Sequence, residues 1–210
     1  MRIDKVAARP DRAGRYTVQM EDGSILRLYR QTVEDFGIYT GKEMDDGELA
    51  RLRKTAEEMS AKMRAVRIIS ASGVSKKDLE RRLIQKGESK QNAQQAVQWL
   101  SERNLLDDQA TARQVVQSCI NKGYGPARAR QALYEKQIPK EYWEAALADY
   151  PDQTVEILAF LQAKLGSNWD QKALKRTIDA LLRRGHSYGE IRKALNQFSE
   201  NVDWEEESYG

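Results

Sequence analysis

The sequence predicts a mainly α-helical protein: tandem three-helix, helix-turn-helix-like repeats in an elongated curved array, with a small N-terminal β-hairpin subdomain. Three observations predict it. Apolar residues recur at helical spacing from about residue 45 to residue 199. The stretch 1–44 instead carries two short β-prone runs around an Asp-Gly turn. A glycine-headed segment also recurs three times along the helical part.

The β-prone runs are YTVQM and ILRLY, joined by Glu21-Asp22-Gly23-Ser24. A two-residue Asp22-Gly23 loop would put Leu26 and Leu28 on the face opposite Val18 and Met20. A three-residue loop, Asp22-Gly23-Ser24, pairs Met20 with Leu26 and Val18 with Leu28 and gives one apolar face, so it is preferred. An isolated hairpin is marginal, so this one must pack on a neighbour.

Helices follow in order. DDGELARLRKTAEEMSAKMRAVRIIS begins at an Asp45 or Asp46 cap. Ser75 caps the next helix, which holds Leu79 and Leu83. Ala93, Ala96, Val97 and Leu100 form an i, i+3, i+4, i+7 stripe, repeated by Ala112, Val115, Val116 and Cys119. Pro126 suits a first helical position before Ala129 and Leu133. Pro139 opens a helix with Trp143, Ala146 and Leu147, and Pro151 opens VEILAFLQAKLG, which Gly166 ends. Leu174, Ile178 and Leu181, then Ile191, Leu195 and Phe198, complete about nine helices. The resulting division is 1–44 as a β-rich extension, with repeats at 45–106, 107–150 and 151–200. The acidic stretch 201–210 has no periodicity and reads as a disordered tail.

Composition narrows the function. Among 210 residues there is one cysteine, Cys119, and one histidine, His186. They form no disulfide and no Cys/His zinc site, so neither metal nor cofactor is expected. Cys119 falls on an apolar stripe and reads as core. No apolar run suits a signal peptide or a membrane span, so the chain reads as cytoplasmic, without a membrane partner and as a monomer. The formal net charge is +3, but it is uneven: residues 51–106 hold 13 basic and 6 acidic side chains. A basic middle suggests an anionic partner for part of the surface.

The recurring segments are GVSKKDLERRL (73–83), GYGPARARQAL (123–133) and GHSYGEIRKAL (185–195). Each glycine is expected to close a helix in the left-handed conformation. The next residue is Val74, Tyr124 or His186. A slot that accepts valine is a packing position rather than a catalytic one, and no nucleophile, carboxylate pair or phosphate loop stands nearby. The chain is therefore not read as an enzyme. The second helix of each copy is basic: Lys76, Lys77, Arg81 and Arg82 in the first, Arg128 and Arg130 in the second, Arg192 and Lys193 in the third, the last preceded by Arg183 and Arg184. These ten residues, with Tyr124 and His186 on the turns, are the candidate partner or DNA contacts. Small basic helices in a row suit phosphate contacts better than base reading. Charge reversal at Arg81/Arg82 or Arg128/Arg130 is expected to weaken binding and leave the fold intact.

The segments Lys122–Leu133, KGYGPARARQAL, and Arg183–Leu195, RRGHSYGEIRKAL, resemble the second and third repeats of the RecX family. DGSILRLYRQTVEDFGIYTGKEMDDGEL is similar to the N-terminal extension of its longer members. The resemblance covers roughly residues 1–200. It implies tandem three-helix repeats and no catalytic residues. It also implies a regulator of homologous recombination and the SOS response that binds the RecA–single-stranded-DNA filament and modulates its ATP hydrolysis and strand exchange. The family usually has Phe where His186 stands and a larger aliphatic where Ala129 stands. The alternative is an autonomous DNA-binding protein of tandem helix-turn-helix-like units.

Overall fold

A computed structural model of the chain describes residues 1–166 and 169–200. The expectation of a disordered tail at 201–210 lies outside the described residues. The chain divides into two compact units, one from Met1 to Leu106 and one from Asp107 onward.

The first unit opens with an antiparallel sheet of β1 (Ile3–Val6), β2 (Arg15–Met20) and β3 (Ile25–Tyr29), in that order. β1 was not foreseen, because a four-residue run in which only its ends, Ile3 and Val6, are apolar is too short to show a period. The hairpin register also differs from expectation. Val18 pairs with Leu26 and Gln19 with Ile25. The loop has three residues, Glu21-Asp22-Gly23, closed by Gly23 N–H to Met20 O at 2.9 Å and Met20 N–H to Ser24 O at 2.9 Å. Gly23 has φ +80°, which fits the left-handed bulge position that ends a type I turn. Glycine must therefore be the loop's last residue, and that fixes the register. The pairing slips by two from the expected one, so parity is kept and Val18, Met20, Leu26 and Leu28 still share the apolar face.

Short α1 (Arg30–Asp35) leads to α2 (Asp46–Ala71), capped by the Asp45 carboxylate accepting from Glu48 N–H at 2.7 Å. At 26 residues α2 is about 39 Å long. It serves two cores. Its first half gives Leu49 and Leu52 to a cluster with Ile3, Val18, Met20, Leu28, Ile38 and Met44. Its second half gives Ala61 and Ala65 to a cluster with Leu79 and Leu83 of α3 (Lys76–Gln85) and Ala93, Ala96 and Leu100 of α4 (Lys90–Glu102).

The second unit holds two bundles. α5 (Asp108–Asn121), α6 (Pro126–Glu135), a 3-10 turn at Lys140–Tyr142 and α7 (Trp143–Leu147) surround Ala112, Val116, Leu133 and Ile138. Pro126 takes a first helical position of α6, as expected. α8 (Thr154–Leu165), α9 (Gln171–Arg183) and α10 (Tyr188–Glu200) surround Ile157, Leu161, Leu181, Ile191, Ala194 and Phe198. Gly166 ends α8 as expected, while Leu195 is only partly buried at the edge of this core. Cys119 is buried, and burial pushes its thiol pKa up.

One device ends six helices. A left-handed residue follows the cap, and the next amide donates to a carbonyl five residues back. The pairs are Ile38 to Val33, Glu88 to Leu83, Leu105 to Leu100, Tyr124 to Cys119, Ile138 to Leu133 and His186 to Leu181, all 2.9–3.3 Å. The left-handed residues are Gly37, Gly87, Asn104, Gly123, Gln137 and Gly185. Gly73 is absent from this set, which corrects the expectation for the first copy: α2 ends at Ser72 in an extended conformation instead. The counterpart of Gly185 in the first unit is Gly87. Two residues on, Ser89 and Ser187 cap α4 and α10, accepting from Asn92 N–H and Glu190 N–H. Buried Ala93 and Ile191, Ala96 and Ala194, and Leu100 and Phe198 then follow in the same register.

Candidate nucleic-acid interface

The turns Gly123–Gly125 and Arg184–His186 meet back to back. Gly125 N–H donates to Arg184 O at 2.9 Å, and Ala127 N–H donates to Gly185 O at 3.3 Å. The first turn of α6 has no intrahelical acceptors for these amides, and the end of α9 has spare carbonyls, so each helix satisfies the other. The fit tolerates no side chain. A Cβ on Gly125 would stand 2.1 Å from Gly185 O, and one on Gly185 would stand 2.2 Å from Arg128 N.

Side chains seal this joint. The Arg184 guanidinium lies 5.0 Å from the Tyr124 ring and 5.0 Å from the Phe160 ring, a cation–π sandwich, and donates to Lys122 O at 2.7 Å. Tyr150 Oη donates to Tyr124 O at 2.6 Å, and burial pushes its pKa up to about 12. His186 is 4% exposed. Its Nε2 is 3.1 Å from Gly123 O. A carbonyl only accepts, so Nε2 carries the proton and donates. Nδ1 is buried without a partner. Burial holds the His186 pKa below its ordinary value, and the nearby Arg184 charge lowers it further. The Gly123 hydrogen bond and the Glu190 and Glu156 carboxylates oppose this.

Three of the candidate contacts are engaged within this joint. His186 faces the joint and not solvent. Arg184 is spent on Lys122 O and two rings. Tyr124 is half-buried beneath Arg184. Sequence marked these residues as unusual but gave no sign that their two turns touch across 62 positions.

The basic residues of α3 also divide. Asp78 is 1% exposed and pairs with Arg81 at 2.5 Å and Arg82 at 2.9 Å. A carboxylate buried this deeply needs both guanidinium groups, so Arg81 and Arg82 hold the helix together as well as facing outward. Arg128 pairs with Glu135 at 3.0 Å, and Lys193 with Asp152 at 3.0 Å. Both pairs are exposed and open to competition from another anion. Lys76 is exposed at the start of α3. Lys77, Arg130, Arg183 and Arg192 are exposed and have no ion pair among the described residues.

A second basic feature was missed. Arg15, Arg64, Arg67, Arg82 and Lys86 line one pocket of about 530 Å³ in the first unit. Only Arg82 was a candidate. The +7 surplus of residues 51–106 was the signal, but its convergence on Arg15 of β2 depends on how α2 crosses the sheet. Among the described residues no group of His, Cys, Asp or Glu could hold a metal ion, and no helix is long and apolar enough to cross a membrane.

Comparison with known proteins gives a consistent answer. A family model described as RecX, second three-helix domain, matches residues 107–147. Regulatory protein RecX of Xanthomonas axonopodis pv. citri is 30% identical over 155 residues, which span 72% of this chain and 96% of that protein. Regulatory protein RecX of Clostridioides difficile is 24% identical over 202 residues, 93% of this chain and 94% of that one. The crystal structure of a regulatory protein RecX shares the fold with a TM-score of 0.62 at 19% identity, covering 93% of this chain and 98% of that one. With the match of the second bundle to the family model and a relative 30% identical along nearly its whole length, the chain belongs to the RecX family of regulatory proteins.

Proposed function

We propose that this chain regulates homologous recombination by binding the RecA–single-stranded-DNA filament and modulating its ATP hydrolysis and strand exchange. Family membership supports a regulatory role. The observation that carries the reading further is a set of exposed cations without an ion pair among the described residues, one on each of three basic helices: Lys77 on α3, Arg130 on α6 and Arg192 on α10. Separate bundles each offering a cation suit a long polyanionic partner, because each phosphate contact adds affinity without base specificity. The reading makes the chain a protein of the cytoplasm that acts on DNA repair and the SOS response through the recombinase.

The sealed N-terminus of α6 argues against the alternative of autonomous helix-turn-helix readers. Its first-turn amides are taken by α9 carbonyls and are not offered to a DNA phosphate. The test adds the protein to recombinase on single-stranded DNA and follows ATP hydrolysis. A change in rate at or below equimolar protein is expected. An unchanged rate at equimolar protein would sink the reading.

A further inference from the structure

The pocket between β2, the C-terminal half of α2 and α3 has the composition of an anion site. Its charged lining is Arg15, Arg64, Arg67, Arg82 and Lys86, with no carboxylate among the lining residues. Four of the five are pre-positioned. Arg15 is held by Asp11 at 2.8 Å, Arg64 by Glu88 at 2.8 Å and by Lys86 O, and Arg82 by Asp78 at 2.9 Å. Arg67 donates to the Tyr29 hydroxyl at 3.3 Å and to Met63 O at 3.3 Å. Lys86 has no ion pair among the described residues. Three carboxylates thus anchor three of the five cations, and one of the three, Asp78, also serves Arg81. The site keeps a positive surplus, and each guanidinium, with five donors, has N–H groups left over.

We infer that this pocket is a phosphate-ester binding site, built for the phosphate groups of a nucleic-acid backbone or of a free nucleotide. Arginine forks match phosphate oxygens in pairs, which makes a cluster of four a phosphate site rather than a generic basic patch. The volume exceeds what one inorganic phosphate needs and lies in the range of small-ligand sites. Ile68 and Ala71 add an apolar strip on which a sugar or base can rest. The inference rests in part on the reading above, which supplies the polyanion, but the site's chemistry stands without it.

The test uses the full chain and the double variant Arg67→Gln/Lys86→Gln. These two residues have no carboxylate partner, so removing their charges orphans no buried anion. A fluorescent oligo(dT) of about twenty nucleotides is titrated by anisotropy over a salt series, with ATP and pyrophosphate as competitors. The variant is expected to bind oligo(dT) about tenfold more weakly, with a log–log salt slope shallower by about one. Competition by ATP or pyrophosphate in the parent, lost in the variant, assigns the site to free nucleotides. Competition by neither, with oligo(dT) weakened, assigns it to backbone phosphodiesters. Parental oligo(dT) affinity and no nucleotide binding by the parent would overturn the proposal. Lys86→Gln alone, on an exposed side chain, repeats the test if the double variant shows a lowered melting temperature. The recombinase ATPase assay separates the two claims. An active parent whose double variant matches it in both assays refutes the pocket alone. An inactive parent whose double variant loses oligo(dT) binding refutes the filament reading alone.

Discussion

The Gly125 amide donates to the Arg184 carbonyl at 2.9 Å, so the start of α6 is capped by the end of a helix from the neighbouring bundle. Two glycines make this approach possible, and both are intolerant for the same reason: backbone from the other turn occupies the space of a Cβ. Gly185→Ala adds a left-handed penalty, because its φ is +88°. Each substitution is expected to lower unfolding free energy by about 1–3 kcal/mol, Gly185→Ala the more. Gly189→Ala is the contrast. It lies in the first turn of α10, its Cβ would meet nothing closer than Ser187 Oγ at 4.0 Å, and alanine there should add about 0.5–1 kcal/mol. Urea denaturation of the three variants checks the order; equal midpoints for all three would refute the joint.

His186 gives the joint a pH dependence. Burial is the leading cause of its lowered pKa, so the folded protein prefers the neutral ring while the unfolded chain titrates near 6.5. Below that value the unfolded chain binds the extra proton first. Stability is therefore full above about pH 6.5 and declines as pH falls from there toward the folded-state pKa. His186→Phe removes the titration. Thermal melts at pH 8, 6.5 and 5 should show a steeper loss in the parent than in the variant, and parallel curves would exclude His186 as the source.

Asp78 makes Arg81 and Arg82 poor positions for a pure binding test. Charge reversal at both leaves a carboxylate at 1% exposure with no counterion and two like charges beside it. A loss of about 3 kcal/mol is expected, contrary to the expectation from sequence that the fold would be untouched. Arg128→Glu should cost less than about 1 kcal/mol, since its partner Glu135 is exposed. Melting followed by circular dichroism distinguishes them: an unshifted melt for the α3 double variant would mean that Asp78 finds water instead.

Local signals were legible and contacts between distant segments were not. Asp45 and Ser75 as caps, Pro126 at the start of α6 and Leu133 in its core follow from short-range rules that the chain states directly. The hairpin register differs because two three-residue loops can be built around the same Asp22-Gly23 pair, and only the left-handed φ of Gly23 chooses between them. Leu79 and Leu83 point to Gly73 as the first copy of the glycine motif, whereas the turn geometry belongs to Gly87, where the following helix is richer in alanine than in leucine. At the candidate site, composition flagged the arginines. Which of them are consumed internally depends on buried Asp78, on the Lys122 carbonyl at the end of α5 and on two aromatic rings, none of which carries a local sequence signature.

That partition sets the cleanest test of a binding surface. Arg130 and Arg192 are exposed, and neither holds an ion pair among the described residues. Replacing both by Gln removes two positive charges and leaves no carboxylate orphaned. The double variant should keep the parental melting temperature, because exposed unpaired side chains shift stability within about 0.5 kcal/mol. Its affinity for the recombinase–DNA filament should fall, with a salt dependence shallower than the parent's, since each lost phosphate contact removes about 0.7 from the slope on a single strand. Sedimentation with filament over a salt series measures both quantities. A variant that co-sediments like the parent at every salt concentration would move the contact surface away from α6 and α10.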